Sequence, residues 1–393
     1  MFGLLRNLSN RIALIRASFV CLILASVTTV FPLRAFAQNW AWNNEVVDTS
    51  GKGMSLAVDE GGNVHISYGA DKEGLKYGFR PAGVASRWFT LALGGGVNYT
   101  HLALDRQGNA HICSTYLSLP LRYAHYDGKQ WDIQEIVPED RTSVQVACGV
   151  AISADGTPHL SWYRIPVVGS YAHIRYAFLR DGVWLMRTLD FDMQTGKWHS
   201  MELDAQGKPC ISYDAFVKGL LKFARWDGKE WNIRVVDSRG AHGSDYSLGM
   251  GSSLAFDSRG NTHISYYSDT EMRHAWQEGE QWKVETVDKI SPTGSALDYR
   301  SSLVLDVDGF AHISYEDSGV LKHAYFDGKQ WNVQVVAPTG SSRSRFNAMT
   351  IDRKQNILYL AYQNAGDGSL RVAVGHKVAQ SRTAIDEKKS EKN

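Results

Sequence analysis

Three observations predict an all-β chain built as a seven-bladed propeller of four-stranded antiparallel blades. A motif of about 48 residues recurs seven times between Trp42 and Lys377. Each copy reads as four short strands with period-two alternation, the signature of half-buried sheet. The seventh copy lacks its last strand, and a matching strand stands at the opposite end of the chain. Four-stranded units of about 40–50 residues assemble radially into closed rings.

The clearest copies run from Ser252 to Asp288 and from Ser301 to Ala337. Others begin at Ser55, His101, Gly149, Ser200 and, with more divergence, Ala348. Within a copy, strand A (Ser-Leu-x-apolar-Asp) ends in a turn such as Ser258–Asn261. Strand B follows as His-Ile-Ser-Tyr, and strand C ends in Asp-Gly, a strong hairpin signal. Strand D opens on a Trp: Trp88, Trp131, Trp184, Trp231, Trp282 and Trp331, six for seven copies. The stretch Trp42–Asp48 (WNNEVVD) matches Trp231–Asp237 (WNIRVVD) and is expected to complete the last blade. An open seam would leave unpaired strand edges, and a strand from the other terminus removes them.

Residues 1–37 read as a secretory signal peptide. Arg6, Arg11 and Arg16 precede the apolar run Ala17–Val30, and Ala35-Phe36-Ala37 offers a small-x-small cleavage pattern before Gln38. The run is shorter than the roughly 20 residues of a membrane-spanning helix, and Pro32 follows it closely. The chain is therefore expected to be secreted or periplasmic, with no membrane attachment after cleavage. Residues 38–377 are assigned to the propeller and 378–393, polar and charged, to a disordered tail.

The chain is 44% hydrophobic and 21% charged, an ordinary globular balance. Loss of the signal's four Arg takes the net charge from +1 to −3, so nucleic acid is not an expected partner. Cys113, Cys148 and Cys210 remain, which permits at most one internal bridge. Cys113 and Cys148 fall in adjacent blades, and geometry decides whether they join. The sequence has no Gly-rich phosphate loop, HExxH or CxxC, so neither cofactor nor metal is expected.

The copies act as an internal control: a residue present in most blades is scaffold, and a singular one is a candidate for function. By this rule His65, His111, His159, His263 and His312, which all open strand B, are structural. So is the basic position of strand C (Lys76, Arg122, Arg175, Lys222, Arg273, Lys322, Arg371). Asp71, Asp214, Asp269 and Asp317 follow strand B in four blades and are expected to pair with that basic residue. The Trp set reads as core between blades. Function on such a ring is expected where the D–A and B–C loops converge on the central channel. There the singular residues are His101, His199 and Glu202, taken as candidate catalytic groups. Glu202 stands where other copies have Ala57, Ala103, Ala151 and Ala255. Tyr99, Tyr116, Arg164, Asp214, Tyr299, Arg300 and Arg345 are taken as ligand-binding. The long connections holding Arg164–Tyr171 and His242, Asp245 and Tyr246 flank the same rim.

The hairpins Asp127-Gly-Lys-Gln-Trp131, Asp227–Trp231 and Asp327–Trp331 look like the Asp-box of neuraminidase repeats. They lack its Ser before the Asp and differ in Gly and Trp spacing. The copies also lack the Trp-Asp and Gly-His marks of WD40 repeats and the Gly-Gly of kelch repeats. The chain resembles secreted bacterial propellers of the broad neuraminidase-repeat type, with a sialidase-like fold. That group holds glycosidases, polysaccharide lyases and sugar-binding lectins, and no catalytic set of theirs maps here residue by residue. The expected function is binding of a glycan or other polar ligand at the channel mouth. The alternatives are a carbohydrate-active enzyme, or a protein-interaction scaffold. A lyase needs a Tyr or His base and an Arg to neutralise a uronate. A hydrolase usually needs two carboxylates, and Glu202 is the one singular interior acid, so lyase stands before hydrolase. Oligomeric state is not encoded in these features.

Overall fold

The computed structural model of the chain describes residues 40–84, 87–116, 119–136, 143–166, 171–192, 195–239, 248–268, 270–291, 299–339, 346–364 and 366–378. These form seven four-stranded sheets, every strand pair antiparallel. Blade one runs Lys52–Val58, Val64–Ala70, Gly74–Arg80 and Phe89–Gly94 as strands A to D. Blades two to six repeat that order, with strand A at Tyr99–Leu104, Ser143–Ile152, Ser200–Leu203, Met250–Phe256 and Ser302–Leu305. Blade seven takes strands A to C from Asn347–Asp352, Ile357–Gln363 and Leu370–Lys377, and its outer strand is Trp40–Asp48. The N-terminal strand pairs antiparallel with Leu370–Lys377, Trp42 opposite Gly375. The ring is closed as expected, by a strand two residues longer at its start than the Trp42–Asp48 match. Among the described residues no helix is long and apolar enough to cross a membrane.

The core lies between blades rather than inside them. One apolar cluster sits at each of the seven junctions. A four-stranded sheet alone cannot bury both faces, so each must pack on its neighbours. The strand-D tryptophans are part of this packing, and those of blades two to six lie edge-on to an aromatic ring of strand C in the preceding blade, while Trp88 of blade one donates to Glu45 instead. Trp131 meets Tyr77 at 5.1 Å between centroids, Trp184 meets Tyr123 at 5.3 Å, and Trp231 meets Tyr176 at 5.1 Å. Trp42 meets His323 of blade six at 5.2 Å, so the N-terminal strand reproduces the contact.

The strand-B histidines form a repeated network inside the five blades that carry them. Nδ1 of His65, His111 and His159 pairs with Tyr77, Tyr123 and Tyr176 Oη at 2.6–2.7 Å. In blades five and six the partner is His274 or His323, at 3.0 Å. The Nε2 side faces the Asp of the A–B turn, as for His312 and Asp306 at 3.6 Å.

The basic position of strand C is also scaffold, but its partner differs from the expected one. In four blades it reaches an Asp at the end of strand D in the preceding blade, which the strand-B Tyr also contacts, whereas Arg122 donates to the Gly94 carbonyl, Arg175 to Thr188 and Arg371 to Asp367. Lys222 binds Asp190 at 2.8 Å, Arg273 binds Asp237 at 3.0 Å and Lys322 binds Asp288 at 2.9 Å. Tyr213, Tyr266 and Tyr315 donate to the same three carboxylates. Asp48 closes the ring identically, with Lys76 at 2.8 Å and Tyr68 at 2.6 Å. Of the Asp residues after strand B, Asp317 does pair with Lys322, Asp71 pairs with Lys52, and Asp214 turns inward instead. Asp269 lies outside the described residues. Cys113 and Cys148 are joined across blades two and three, Cα atoms 6.2 Å apart, and Cys210 is free and buried.

The seam yields two expectations. Glu45 of the N-terminal strand and Arg80 of blade one form a buried ion pair at 2.9 Å. Removing one partner of a buried pair costs about 3–5 kcal/mol, so Glu45→Ala is expected to lower stability by that order in urea titrations, more than any exposed charge removal. Burial opposes ionisation of Asp48, but Lys76 and Tyr68 outweigh it and hold its pKa below 3.8. Its contribution is present above that pH and is lost as pH falls through the depressed folded value. Asp48→Asn should therefore be less stable at neutral pH, and the gap should close in acid melts.

Candidate functional site

The seven A strands line one central channel, a cavity of about 640 Å³. Alternation along strand A divides its residues into inward-facing columns. Aligning the copies gives three inward levels. The first holds Gly53, Tyr99, Ala147, Trp198, Gly251, Arg300 and Phe346. The second holds Ser55, His101, Gly149, Ser200, Ser253, Ser302 and Ala348. The third holds Ala57, Ala103, Ala151, Glu202, Ala255, Val304 and Thr350.

The first level plugs the channel at the D–A loop end. Tyr99 stacks edge-on against Trp198 at 5.2 Å and against Phe346 at 5.2 Å, reaching from blade two to blades four and seven. The Arg300 guanidinium lies 5.5 Å from the Tyr99 ring centre and 5.3 Å from that of Trp198. A cation over aromatic faces in a dry setting is a favourable contact. Room for these four comes from the other three blades, where the strand is bulged. Gly53 and Gly251 adopt φ of +57° and +59°, and a Cβ there would sit 2.1 and 2.3 Å from carbonyl oxygens of the next blade. Ala147 takes the same left-handed backbone at φ 51°.

The second level is a ring of inter-blade rungs. The hydroxyl of Ser55 accepts the N–H of Leu102, Ser200 that of Leu254, Ser253 that of Leu303 and Ser302 that of Met349, all at 2.9–3.1 Å. His101 does the same for blade two, its Nδ1 accepting the N–H of Val150 at 3.2 Å. Burial, with the Arg300 charge adding, pulls its pKa down to about 4. The ring is thus neutral near pH 7, with Nδ1 occupied as an acceptor and the proton on Nε2. His101 offers the channel an N–H donor; acting as a base would require it to give up its backbone bond.

His199 is one residue out of phase and faces away from the channel axis. It occupies the column of Thr100, Ser252, Ser301 and Asn347, which bond to strand-B serines of the preceding blade at 2.5–3.0 Å. It is buried, and Nδ1 lies 2.9 Å from the Gly196 carbonyl. Burial brings its pKa down to about 4, and Arg300 and His101 push the same way.

Glu202 is the one carboxylate among the described residues lining the cavity. It sits on the third level, a further two residues along the strand, in a ring otherwise of Ala, Val and Thr. Burial raises its pKa to about 7, against the opposing charge of Arg353. Arg353 projects from the A–B turn of blade seven, its Nε donating to Leu305 O at 3.0 Å. Around this end Val58, Leu104, Ile152, Leu203, Val304 and Thr350 are partly exposed. The site has a donor level near the plug and a Glu202–Arg353 level toward the A–B turns.

The remaining sequence candidates are spread out. Tyr299 is buried against Tyr267, ring centres 4.9 Å apart. Asp214 is buried, its pKa raised to about 6 by burial, and it accepts the N–H of Trp198 at 3.4 Å. Tyr116 is exposed and rests on Gly96. Arg164 lies two residues before the end of strand B of blade three, off the channel lining. Arg345, His242, Asp245 and Tyr246 lie outside the described residues. Sequence reasoning passed over Trp198, Phe346 and Arg353. The first two emerge once the column two residues before each strand-A Ser is compared.

No family model and no curated protein matches the chain. Solved structures do. The fucose-specific lectin of Aleuria aurantia, in complex with Fucα1-6GlcNAc, is 16% identical with a TM-score of 0.51, over 76% of this chain and 99% of that one. The polysaccharide lyase Uly1 is 12% identical with a TM-score of 0.53, over 84% and 90%. A catalytically inactive virginiamycin B lyase of Staphylococcus aureus, with quinupristin, is 8% identical with a TM-score of 0.56, over 85% and 99%. At these identities the likeness is one of fold.

The raised pKa of Glu202 sets a pH dependence of stability. Its neutral form is favoured in the folded chain, so its stabilising effect is full below about pH 4.5 and is lost as pH rises through about 7. Glu202→Gln is expected to match the parent in acid and to exceed it in thermal melting above pH 7. Equal melting at both pH values would show a carboxyl group that titrates normally.

Proposed function

We propose that the chain is an exported propeller that binds a polar ligand, a short glycan, within its central channel. The observation that carries this is an asymmetric set in a wall otherwise made mostly of Ser, Gly, Ala and aliphatic residues: Glu202 with Arg353 at one level, the His101 N–H at another. A cavity of about 640 Å³ suits a small ligand, and a carboxylate, a guanidinium and an imidazole N–H suit hydroxyl-rich or acidic sugars. The fold neighbours include a lectin crystallised with a fucosylated disaccharide and a polysaccharide lyase, which supports the sugar class. The Cys113–Cys148 bridge supports export, since disulfides persist in oxidising compartments. The Ala35-Phe36-Ala37 pattern supports the same compartment.

One observation favours a catalytic version of this reading. A carboxylate poised near pH 7 beside an arginine is a base facing a counter-charge for a uronate. This points to proton abstraction by Glu202 with Arg353 neutralising the substrate carboxylate, a lyase rather than a two-carboxylate hydrolase.

Glycan arrays followed by calorimetry test the binding reading. One ligand per chain is expected, and Arg353→Ala should weaken it at least about tenfold, the loss of one charge-assisted bond. An empty array, or affinity unchanged in Arg353→Ala, would overturn it. For catalysis, incubation with uronate oligosaccharides should produce the ultraviolet absorbance of an unsaturated product, absent in Glu202→Gln. Binding without that signal would leave a lectin.

A further inference from the structure

We propose that blade two holds a site for a borderline divalent transition-metal ion of the Zn²⁺ type, formed by Asp105, His111 and His125. Each offers one ligand atom, and the three atoms lie within 4.8 Å of one another. Among the described residues this is the one such grouping. The site lies in the sheet of blade two, apart from the channel.

Three different elements bring the set together. Asp105 opens the A–B turn, His111 is the second residue of strand B (Ala110–Thr115), and His125 lies directly opposite it on strand C (Leu121–Tyr126). The two imidazoles stack at 4.3 Å between centres. His111 is 3% exposed, and its Nε2 is buried without a hydrogen-bond partner, 3.6 Å from Asp105 Oδ2. Its other nitrogen is occupied by Tyr123 Oη at 2.6 Å. That bond leaves Nε2 to the metal and fixes the ring orientation, the usual outer support of a ligating histidine. Asp105 is equally prepared. Its Oδ1 accepts the N–H groups of Gln107 and Asn109 at 2.8 Å, and Oδ2 accepts only Asn109 Nδ2 at 2.9 Å. A lone pair remains on Oδ2.

The sister blades supply the control. The Asp and strand-B His recur as scaffold, but the residue opposite that His is Phe79, Phe178, Trp276 or Tyr325 in blades one, three, five and six. None of these carries an imidazole. In blade four Cys210 replaces the His, and the opposite Arg225 binds Asp204 itself at 2.8 Å. Blades five and six do hold second histidines, His274 and His323, but on the Nδ1 side, away from the Asp. Among the described residues blade two alone adds an imidazole nitrogen on the carboxylate side. Zn–N and Zn–O bonds are about 2.0–2.2 Å, so two ligands of one tetrahedral ion lie about 3.3–3.6 Å apart. Asp105 and His111 already stand at 3.6 Å, and a side-chain adjustment of up to about 1 Å in the half-buried His125 completes the set. Two nitrogens and one oxygen suit Zn²⁺, Co²⁺ or Ni²⁺ rather than Mg²⁺ or Ca²⁺.

The test uses untagged, chelator-treated protein and calorimetry with ZnCl₂, with MgCl₂ as control. One Zn²⁺ per chain is expected, with no Mg²⁺ uptake and a higher melting temperature in Zn²⁺. His125→Phe installs the residue of blades one and three and should weaken Zn²⁺ binding at least about tenfold. Its melting temperature without metal should match the parent's. X-ray absorption of the Zn²⁺-loaded parent should show two imidazoles and an oxygen donor, and it decides the matter should His125→Phe not fold. No uptake, binding undiminished in His125→Phe, or fewer than two imidazoles on the ion would each overturn the site.

Discussion

Closure of the ring is the constraint on which the rest of the molecule depends. Among the described residues most of the hydrophobic core lies at junctions between blades, so a blade without two neighbours has much of its apolar surface in water. The junction between blades seven and one is built from the N-terminal strand with the parts used elsewhere. Asp48 takes Tyr68 and Lys76 as Asp237 takes Tyr266 and Arg273. Trp42 rests on a strand-C ring of blade six, and Glu45 holds Arg80 in a buried pair. The channel is a product of this closure, since each A strand supplies one-seventh of its wall.

Much of this was legible in the sequence because it is repeated. The period, the closing strand and the structural standing of the strand-B histidines follow from comparing copies. What failed to show were relations between copies. Asp214 was expected to pair with Lys222 because both belong to one blade, whereas the true partner, Asp190, ends the blade before. Phase was the second difficulty. In a strand, one residue decides the face, and His199 and Tyr299 each stand one position off an inward column. Glu202 and His101 stood out because they replace Ala and Ser within columns of Ala and Ser. Arg353 did not, since arginines occur in other A–B turns, at Arg106 and Arg259.

Scaffold and chemistry use the same side chains in different numbers. His101 serves the ring as a serine would, through Nδ1, and only its Nε2–H is left for a ligand. His111 serves its blade as His65 does, through Nδ1, and only its Nε2 is left for a metal. In both, one face of an imidazole is spent on architecture and the other is singular. Repetition therefore hides function less completely than a residue count suggests: the repeated atom and the available atom belong to the same ring.

The bulges at the plugged end have a consequence of parity. Blades one, three and five carry the left-handed Gly53, Ala147 and Gly251, while two, four, six and seven carry bulky side chains. Alternation of two strand types around a closed circle needs an even number of members, and seven is odd. Two blades of one type must stand side by side, here six and seven, with Arg300 and Phe346 at the same level. The near-repetition of the ring is thus broken at one place by arithmetic alone. A chain of nearly equivalent blades thereby acquires a fixed angular origin, from which every other position around the channel is distinct.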